Sequence, residues 1–350
     1  MKAIRLYGAE DARLDDIEEP RTGPGQVKIH VERTGVCGSD LALFQYAPVP
    51  NEYRHPLFGE EGPHVLGHEF AGTVVEVGDG VDSVRPGDLV AVRPNVWDGT
   101  CAACRRGEPN LCAEFGFVGI NGGGGGYSEY VVVAEDQAHR LPNEIGADAA
   151  AMVESTTVAW HAMKVSGAGE GSTALVIGAG PIGLALLLCL RAQGARQVVV
   201  SEISESRRAL AAELGADVID PRETDPAEYA RSVAEGGVDV SFDASGVGDV
   251  TLLPALNALR TGGTSVVVAQ FHHPVPIDPN LFLTTEKRLV GSFAYTDEDF
   301  QEVVDAIVAG TIDPRPLISS VVPLENTVDG AIRHLLGTGR NTEVKVLLAP

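Results

Sequence analysis

Short apolar segments broken by glycine and proline characterise the first 155 residues. Three of these segments, Val27–Glu32, Gly72–Val77 and Asp88–Val92, are rich in β-branched side chains, which favour extended strands. This part of the chain is therefore predicted to fold as a mostly β domain. The consecutive glycines Gly122–Gly126 lie inside it, and we interpret them as a turn where the backbone passes close to another group rather than as a flexible linker.

The pattern changes near residue 172, where apolar runs begin to alternate with helical stretches. The runs that predict strands are Thr173–Ile177, Gln197–Val200, Asp239–Asp243 and Thr264–Val268, and the helical stretches include Ser206–Leu214 and Val250–Leu259. Such alternation indicates a parallel sheet with helices on both faces. The uncharged segment Thr173–Leu190 resembles a membrane span in hydropathy, but Gly178 and Pro181 interrupt it, which predicts a buried strand, a turn and a buried helix instead.

Apolar residues return at helical spacing near the C-terminus. One face of this predicted helix carries Phe300, Val303, Val304, Ile307 and Val308. Asp297 and Gly310 are its predicted caps. A last strand, Val344–Leu348, is predicted to return to the first domain. We therefore expect an α/β chain in which one domain comprises residues 1–155 and 293–350 and the other comprises residues 156–292.

The composition narrows the classes of partner. A chain of 350 residues is too long for one ordinary core, and its 44% apolar content supports a globular fold. Acidic residues number 49 and basic ones 26, which gives a formal net charge of −23. Nucleic acid is not expected as a partner because phosphate binding needs a basic surface that this chain lacks. The acidity also predicts a halophilic protein, because concentrated salt screens the repulsion between its carboxylates.

The N-terminus and the cysteines bear on the compartment. Met1–Asp16 alternates apolar and charged residues and contains no apolar run of the kind found in signal peptides, so we expect a cytoplasmic protein with no membrane partner. The chain has 5 cysteines, an odd number, and three of them lie within residues 101–112. This distribution favours metal binding or free thiols over a disulfide framework.

A glycine-rich turn follows the first predicted strand of the second domain. Its pattern, G-x-G-x-x-G, is formed by Gly178, Gly180, Pro181, Ile182 and Gly183 and opens a helix. In this setting the first glycine permits the turn, the second lets a pyrophosphate approach the backbone, and the third lets helix and strand pack closely. The pyrophosphate then meets the helix N-terminus, so these five residues are predicted to bind a dinucleotide.

The strand after this turn ends at Glu202. A carboxylate there can accept hydrogen bonds from the adenosine ribose hydroxyls and would repel a 2′-phosphate, so NAD is favoured over NADP. Arg207 and Arg208 weaken that preference, because they could meet a phosphate if the loop folded back. We predict that Glu202 and Arg207 contact the cofactor. The alternative is an ordinary glycine turn followed by a solvated glutamate.

Residues of the types that bind zinc surround His68. Cys37 would supply a thiolate and His68 an imidazole, and either Glu69 or Glu154 would supply a carboxylate. Three protein ligands leave a coordination position open, as catalytic zinc sites require. His64 is a rival ligand because it lies close to His68 in sequence. Each residue also has a structural alternative, in which the cysteine is a small buried side chain and the glutamates are ordinary helix or surface charges.

Together with the predicted dinucleotide site, such a zinc site is expected to support the oxidation of an alcohol. Zinc acts as a Lewis acid on the hydroxyl, so that hydride can leave the carbinol carbon for a nicotinamide. The hydroxyl proton needs a path out of the site. Ser39, two residues after Cys37, is placed to be the first acceptor of that proton.

A second group of metal-binding residues lies near residue 100. Cys101, Cys104 and Cys112 have the spacing of a structural zinc lobe that lacks one cysteine. Asp98 is spaced to supply a fourth, oxygen ligand, although structural zinc sites are usually richer in sulfur. The alternative is an empty lobe of free thiols.

With these residues in hand, the chain resembles the zinc-dependent medium-chain dehydrogenase/reductases over nearly its whole length. Within that family it is most similar to the polyol branch around the (R,R)-2,3-butanediol dehydrogenases. The motifs that carry the resemblance are Cys37-Gly38-Ser39-Asp40, His55-Pro56-Leu57, Gly67-His68-Glu69, Pro86-Gly87-Asp88, Phe115-Gly116-Phe117, Tyr127-Ser128-Glu129-Tyr130, the glycine turn and Glu202.

The resemblance implies a GroES-like catalytic domain, a Rossmann cofactor domain and a homodimer or homotetramer. It also implies that zinc and NAD serve the oxidation of a secondary alcohol, a vicinal diol or polyol, with butanediol and acetoin as the leading pair. Sorbitol or xylitol oxidation and threonine 3-dehydrogenation are alternatives within the family. An alternative of another class is a non-catalytic protein that binds a dinucleotide.

The chain departs from the family pattern at three positions. Asp98 stands where the family's structural lobe commonly has its first cysteine. Ala42 replaces a histidine that many polyol relatives use in proton relay or substrate contact, and Ser155 replaces the proline that usually follows the later zinc-ligand glutamate. These changes leave the expected metal chemistry intact but alter the expected proton path and substrate contacts.

Overall fold

The structure is a computed structural model that describes all residues from Met1 to Pro350. They form two compact units. The first unit combines Met1–Glu154 with Thr296–Pro350, and the second unit is the continuous segment Ser155–Tyr295. The chain therefore leaves the first unit once and returns to it at Thr296.

Strands dominate the N-terminal part of the first unit, as the short apolar segments predict. They are β1 (Lys2–Gly8), β2 (Asp11–Asp16), β3 (Gln26–Gly35), β4 (His64–Val65), β5 (Glu69–Val77), β6 (Leu89–Val92), β7 (Asn95–Val96), β8 (Gly116–Phe117), β9 (Tyr130–Ala134) and β10 (Ala138–Leu141). The helices here are short: α1 (Gly38–Tyr46), α2 (Ala102–Arg105) and α3 (Gly146–Ala151). Three further single turns of 3₁₀-helix are Pro109–Leu111, Glu135–Gln137 and Asn143–Ile145.

The second unit alternates strands and helices. Its strands are β11 (Thr173–Ile177), β12 (Gln197–Ser201), β13 (Asp217–Ile219), β14 (Val238–Asp243), β15 (Leu259–Val267) and β16 (Arg288–Gly291). Helix α4 (Val153–Ser166), whose first two residues belong to the first unit, precedes them. The other helices are α5 (Pro181–Ala192), α6 (Glu205–Glu213), α7 (Pro226–Val233), α8 (Asp249–Ala258) and α9 (Asn280–Thr285). All neighbouring strands run parallel in the order β13-β12-β11-β14-β15-β16. This is the doubly wound order in which ligands bind at the carboxyl ends of the strands, so the predicted fold class is confirmed.

One strand of this sheet is longer than predicted. Strand β15 begins at Leu259, whereas the apolar pattern placed its start at Thr264. The residues between these two positions include Gly262 and Gly263, so they show no alternation of apolar and polar side chains. The strand register between β14 and β15 also shifts in this region. A Cβ on Gly263 would lie 2.9 Å from the carbonyl oxygen of Asp239, so a close backbone approach explains the glycine.

The returning segment completes the first unit. It contains α10 (Asp297–Val308), β17 (Ile318–Pro323), a π-helical turn (Thr327–Arg333), α11 (His334–Leu336) and β18 (Lys345–Ala349), with 3₁₀ turns at Arg315–Leu317, Leu324–Asn326 and Thr338–Asn341. Strand β18 pairs in parallel with β17 and antiparallel with β3. It thereby joins a 7-stranded sheet with β5, β6, β9 and β10, and the predicted return of the last strand is confirmed.

The N-terminal cap of α10 differs from the prediction. Asp297 is the first helical residue rather than the cap, because Thr296 occupies that position. The hydroxyl of Thr296 accepts a hydrogen bond from the Asp299 amide at 3.2 Å, and the Asp299 carboxylate accepts one from the Thr296 amide at 2.9 Å. This reciprocal capping box satisfies two amides that a lone aspartate would not. Gly310 follows the helix with a φ of 71°, as expected for a residue that ends it.

Each unit has its own apolar core. In the first unit, alternate residues of β3 such as Val27, Ile29 and Val31 pack with Phe70 and Val74 of β5. In the second unit, β11, β12 and β14 pack against α7 and α8. No helix is both long enough and apolar enough to cross a bilayer.

Candidate functional site

Three candidate zinc ligands converge in the first unit. The thiol of Cys37, the imidazole of His68 and the carboxylate of Glu69 place one donor atom each within 4.8 Å of one another. The pairing of β3 with β5 brings them together, because it sets Gly35, two residues before Cys37, opposite Glu69. A Cβ on Gly35 would lie 2.0 Å from Oε2 of Glu69, so only glycine leaves room for that carboxylate.

Asp40 orients the imidazole of His68. Its Oδ1 lies 3.4 Å from Nδ1 of His68, while Oδ2 accepts hydrogen bonds of 2.9 Å from the Cys37 amide and from the Tyr127 hydroxyl. A carboxylate beside Nδ1 favours a proton on that nitrogen and leaves Nε2 to bind a metal. Ser39 lies on that other side, with its Oγ 3.3 Å from Nε2. Asp40 is the acidic residue in the first turn of α1, and its side chain is fully buried.

The surroundings of His68 favour a positive charge. Burial opposes protonation of the imidazole, but the charge of Asp40 and the close polar contacts with Asp40 and Cys37 raise the pKa of His68 well above the ordinary value. Nδ1 of His68 and Oδ1 of Asp40 are buried atoms without a hydrogen bond of good geometry. A cation bound between a thiol, an imidazole and a carboxylate would balance the negative charge of these buried groups, so the donor set fits zinc.

A lysine from the last strand neutralises Glu69. The ammonium of Lys345 lies 2.8 Å from Oε1 and 2.5 Å from Oε2 of Glu69, and both side chains are 1% exposed. Burial lowers the pKa of Lys345, but the charges of Glu69, Cys37 and Glu154 outweigh it and raise the pKa. Lys345 is therefore favoured as an ammonium ion and forms a buried ion pair with Glu69.

Glu154, the other carboxylate predicted to bind zinc, is close enough to Lys345 for its charge to act on it. Glu154 is the second residue of α4, is buried, and contributes to the raised pKa of Lys345. It does not belong to the tight group of Cys37, His68 and Glu69. His64, the rival imidazole, is on β4 opposite Leu6 and is not among the converging donors either.

Glycines pack directly behind His68. A Cβ on Gly119 would lie 2.0 Å from the carbonyl oxygen of Gly67, and one on Gly125 would lie 2.4 Å from that of Leu66. The amide of Gly126 donates a 2.8 Å hydrogen bond to the Gly67 carbonyl. The close backbone approach predicted for the five-glycine run is therefore confirmed, and it fixes the backbone next to the imidazole.

The cysteine lobe also gathers its four donors. Asp98, Cys101, Cys104 and Cys112 place one ligand atom each within 4.8 Å of one another. The Asp98 carboxylate accepts hydrogen bonds from the amides of Cys101 at 2.9 Å and Thr100 at 2.7 Å, and these lower the pKa of Asp98 to about 2. Backbone hydrogen bonds lower the pKa of the Cys101 thiol to about 7, whereas burial and the contact with Cys101 raise the pKa of the Cys104 thiol to about 12. The lobe without a metal therefore favours a thiolate at Cys101 and a neutral thiol at Cys104.

The glycine turn of the second unit has the geometry of a phosphate cradle. Gly178 has a φ of 96°, and a Cβ on Gly183 would lie 1.8 Å from the Gly178 carbonyl oxygen. A Cβ on Gly180 would meet no atom within 4 Å, so the backbone there is open. Helix α5 begins at Pro181 directly after this open position, so its N-terminus can face an anion.

Glu202 lies at the carboxyl end of β12, beside that turn. Its Oε2 accepts a 2.7 Å hydrogen bond from the Ala179 amide and its Oε1 one of 2.8 Å from the Ser204 amide. It lines a cavity of about 310 Å³ together with Gly178, Ile203 and Arg222. The apolar and carboxylate lining fits an adenosine, because ribose hydroxyls can donate to Glu202.

The two arginines near this loop differ in placement. The Arg208 guanidinium donates to the carbonyl oxygens of Glu202 and Ile203, at 2.8 Å each, and does not reach out from the loop. The amide of Arg207 lies 3.4 Å from the Ser204 hydroxyl that caps α6. Arg207 is therefore in the first turn of α6, the helix that follows the loop of Glu202.

Three residues of the candidate metal centre were not predicted from the sequence. Asp40 had a local signal, since an acidic residue three positions after Cys37 fits the third position of a helix that starts there. Lys345 had a weaker one, a single charge in an apolar strand. Tyr127 had none, because its partner Asp40 is 87 positions away.

Comparison with known proteins agrees with this geometry. Residues 23–143 match the family described as "Alcohol dehydrogenase GroES-like domain", and residues 181–309 match "Zinc-binding dehydrogenase". The (R,R)-butanediol dehydrogenase of Bacillus subtilis is 38% identical over 355 residues, which cover 100% of both chains. A probable diacetyl reductase [(R)-acetoin forming] of Saccharomyces cerevisiae is 37% identical and covers 100% of this chain and 90% of that protein.

Solved structures give the same result. The crystal structure of 2R,3R-butanediol dehydrogenase from Bacillus subtilis superposes with a TM-score of 0.93 at 36% identity, covering 100% of this chain and 99% of that one. A putative zinc-binding dehydrogenase from Sinorhizobium meliloti, solved with NADP, has a TM-score of 0.89 at 31% identity, with coverage of 100% and 99%. By full-length similarity to these proteins, the chain belongs to the zinc-dependent medium-chain dehydrogenase/reductase family and is an oxidoreductase with a GroES-like domain and a Rossmann-type domain.

Proposed function

We propose that this protein oxidises a secondary alcohol, a vicinal diol or polyol, to the ketone with zinc and NAD, and that butanediol and acetoin are the leading substrate pair. The observation that carries the proposal is that the thiol of Cys37 and the imidazole of His68 converge, with the carboxylate of Glu69 beside them, in a member of the alcohol dehydrogenase family. Relatives named as butanediol dehydrogenases and a diacetyl reductase support the substrate pair.

We assign the catalytic zinc to Cys37, His68 and one glutamate. Glu69 has both carboxylate oxygens in contact with Lys345, which weakens it as a ligand. This ion pair favours Glu154 as the third ligand, with Glu69 as the alternative. Bound there, zinc would polarise the hydroxyl of the alcohol and the nicotinamide would take up the hydride.

Two residues of the chain would then accept the proton of the alcohol and orient the imidazole of His68. Ser39 lies 3.3 Å from Nε2 of His68, so its Oγ is next to the metal position and can accept the proton of the alcohol. Asp40 keeps the proton of His68 on Nδ1. Because Ala42 has no ionisable group, the proton has to leave Ser39 by another route than the histidine of polyol relatives.

The cofactor site is assigned to the glycine turn and Glu202. Gly178, Gly180, Pro181, Ile182 and Gly183 would hold the pyrophosphate at the N-terminus of α5. Glu202 would accept hydrogen bonds from the adenosine ribose, and Arg207 would contact the same end of the cofactor. The buried carboxylate of Glu202 favours NAD over NADP.

Four further assignments extend the proposal. We assign a structural zinc to Asp98, Cys101, Cys104 and Cys112, because their four donors converge and leave no open position for a substrate. We also propose a cytoplasmic homodimer or homotetramer. The net charge of −23 supports adaptation to concentrated salt, and a melting temperature that rises between dilute buffer and molar KCl would support it further.

The test is NAD reduction with a panel of alcohols in concentrated KCl, with and without a zinc chelator. The panel comprises (R,R)-, (S,S)- and meso-butanediol, sorbitol, xylitol and threonine. Chelator-sensitive turnover of one butanediol isomer is the expected result. Turnover of sorbitol or xylitol alone would mean that the substrate is a polyol rather than butanediol. These polyols are included because a relative that is 29% identical is named sorbitol dehydrogenase. No turnover of any alcohol would support a non-catalytic dinucleotide-binding protein.

A further inference from the structure

One carboxylate holds two arginines beside the cavity at Glu202. Asp220 directly follows β13, and its Oδ1 accepts a 2.8 Å hydrogen bond from Nε of Arg222. Its Oδ2 is in contact with Nη2 of Arg222 and lies 3.1 Å from Nη1 of Arg208. The side chains of Asp220 and Arg208 are 9% and 18% exposed, whereas that of Arg222 is 64% exposed, so the carboxylate is covered while Arg222 stays open to solvent.

The same arginines are fastened to the loop that carries Glu202. Arg208 donates to the carbonyl oxygens of Glu202 and Ile203, and Nη2 of Arg222 donates to that of Ile203 at 3.0 Å. The amide of Glu202 donates in turn to the Ile219 carbonyl at 3.1 Å, one residue before Asp220. Arg222 and Glu202 both line the 310 Å³ cavity, so a ligand bound there would meet both.

These contacts bear on a 2′-phosphate. Arginine binds phosphate through its forked N–H groups, and a pair of arginines beside a ribose site is what a 2′-phosphorylated cofactor would need. Here the donors of Arg222 and Arg208 are directed at Asp220 and at carbonyl oxygens, and one positive charge is cancelled. Arginines that could bind a phosphate are therefore present beside the cavity, but their donors are already engaged in other contacts.

We propose that Asp220 is a specificity-determining residue, which holds Arg222 and Arg208 in ion pairs and so withholds them from the 2′-phosphate of NADP. This inference rests on the proposed cofactor site. It adds a second determinant to Glu202: the glutamate repels the phosphate directly, and Asp220 removes the cations that could bind it. Arg208, one of the two arginines that weaken the NAD preference predicted from the sequence, is thereby accounted for.

The test compares two nicotinamide-free ligands by calorimetry on the full-length, zinc-loaded protein. ADP-ribose reports on the site itself, and 2′-phospho-ADP-ribose reports on the phosphate. In Asp220→Asn, which keeps the size of the side chain, we expect affinity for the 2′-phosphorylated ligand to rise about fivefold to tenfold and affinity for ADP-ribose to stay within about twofold. The gain should shrink when the KCl concentration is raised from roughly 0.15 M to 1 M, because salt screens charge.

Two matched variants control the result. Asp217→Asn removes the same charge at the exposed start of β13 and should leave the affinity for both ligands unchanged. Adding Arg222→Gln to Asp220→Asn should abolish the gain, because Arg222 lines the cavity. Asp220→Ser serves as a second variant in case the asparagine variant does not fold.

The outcomes separate this inference from the proposed function. If the natural protein binds ADP-ribose but Asp220→Asn gains no affinity for the 2′-phosphorylated ligand, the inference is overturned and the cofactor site stands. If neither ligand binds the natural protein, the cofactor site fails and the inference fails with it. If both Asp220 variants unfold, or if Asp217→Asn produces the same gain, Asp220 is not a discriminating residue.

Discussion

The hydroxyl of Tyr127 donates a 2.9 Å hydrogen bond to Oδ2 of Asp40, whose other oxygen lies 3.4 Å from Nδ1 of His68. Tyr127 and Asp40 are both fully buried. The phenol therefore acts on the candidate zinc ligand through the carboxylate between them, and we regard it as a positioning residue.

Tyr127→Phe should weaken zinc binding. Removing the hydroxyl takes one of the donors from a buried carboxylate, which should cost about 2 kcal/mol of unfolding free energy and raise the zinc dissociation constant about threefold to tenfold. Competition with a chromophoric chelator measures the zinc affinity, and urea unfolding measures the stability. The exposed Tyr46→Phe is the matched control. Unchanged zinc affinity in Tyr127→Phe would mean that the phenol only fills space.

Lys345→Met should be strongly destabilising. It leaves the buried carboxylate of Glu69 without its partner, for which we expect a loss of about 3–5 kcal/mol in urea unfolding. Lys345→Arg keeps the charge and should lose less. The double variant Glu69→Gln/Lys345→Met should recover part of the loss, because neither charge then remains buried. A loss below about 1 kcal/mol in Lys345→Met would contradict a tight ion pair at this position.

The stability of the first unit should depend on Asp297 in mild acid. A hydrogen bond with His139 and the charge of Arg93 lower the pKa of Asp297 below its ordinary value, against the effect of burial. A carboxyl group whose pKa is lower in the folded state stabilises the fold above its unfolded pKa, about 4. That contribution is lost as the pH falls through the lower, folded pKa.

Asp297→Asn tests this dependence. The difference in unfolding free energy between the natural protein and the variant should be constant above about pH 5 and should shrink as the pH falls below about 4. Urea unfolding at a series of pH values measures it. The exposed Asp329→Asn, which pairs only with Arg333 one helical turn away, is the control. A difference that did not change with pH would show that Asp297 acts through packing rather than charge.

Ser39→Ala should change the pH dependence of turnover. Without Oγ beside Nε2 of His68, the first proton acceptor is lost, and kcat/KM near neutral pH should fall about tenfold or more, with the pH–rate profile moved towards alkaline pH. Ser39→Thr retains the hydroxyl and should retain most of the activity. The same rate and profile in Ser39→Ala as in the natural protein would refute the assignment.

Local patterns predicted the parts of the site whose geometry is local. The strand, the turn at Gly178 and the helix at Pro181 follow one another in sequence, so their arrangement could be read directly. Cys37 and His68 were found by residue type, but the structure was needed to show that their side chains meet. Lys345 and Glu69 are 276 positions apart and meet only because β18 pairs with β3, a register that no short pattern encodes.

The choice between Glu69 and Glu154 illustrates the same limit of sequence reasoning. Both residues suit zinc, and neither their spacing nor their neighbours distinguish them. The contact of Lys345 with both oxygens of Glu69 supplies a physical reason to prefer Glu154. The cap of α10 was misplaced for a related reason, since Thr296 and Asp297 are both good capping residues and only the reciprocal bonds with Asp299 select Thr296.

Zinc content measured together with NAD reduction tests the central claim most directly. The natural protein should hold about two zinc ions per chain, one catalytic and one structural. Cys37→Ala should lose the catalytic zinc and all NAD reduction. Cys112→Ala should lose the structural zinc, and the folded fraction of this variant should keep the initial rate of turnover. Full zinc content and full turnover in Cys37→Ala would contradict the assignment of the catalytic metal to this site.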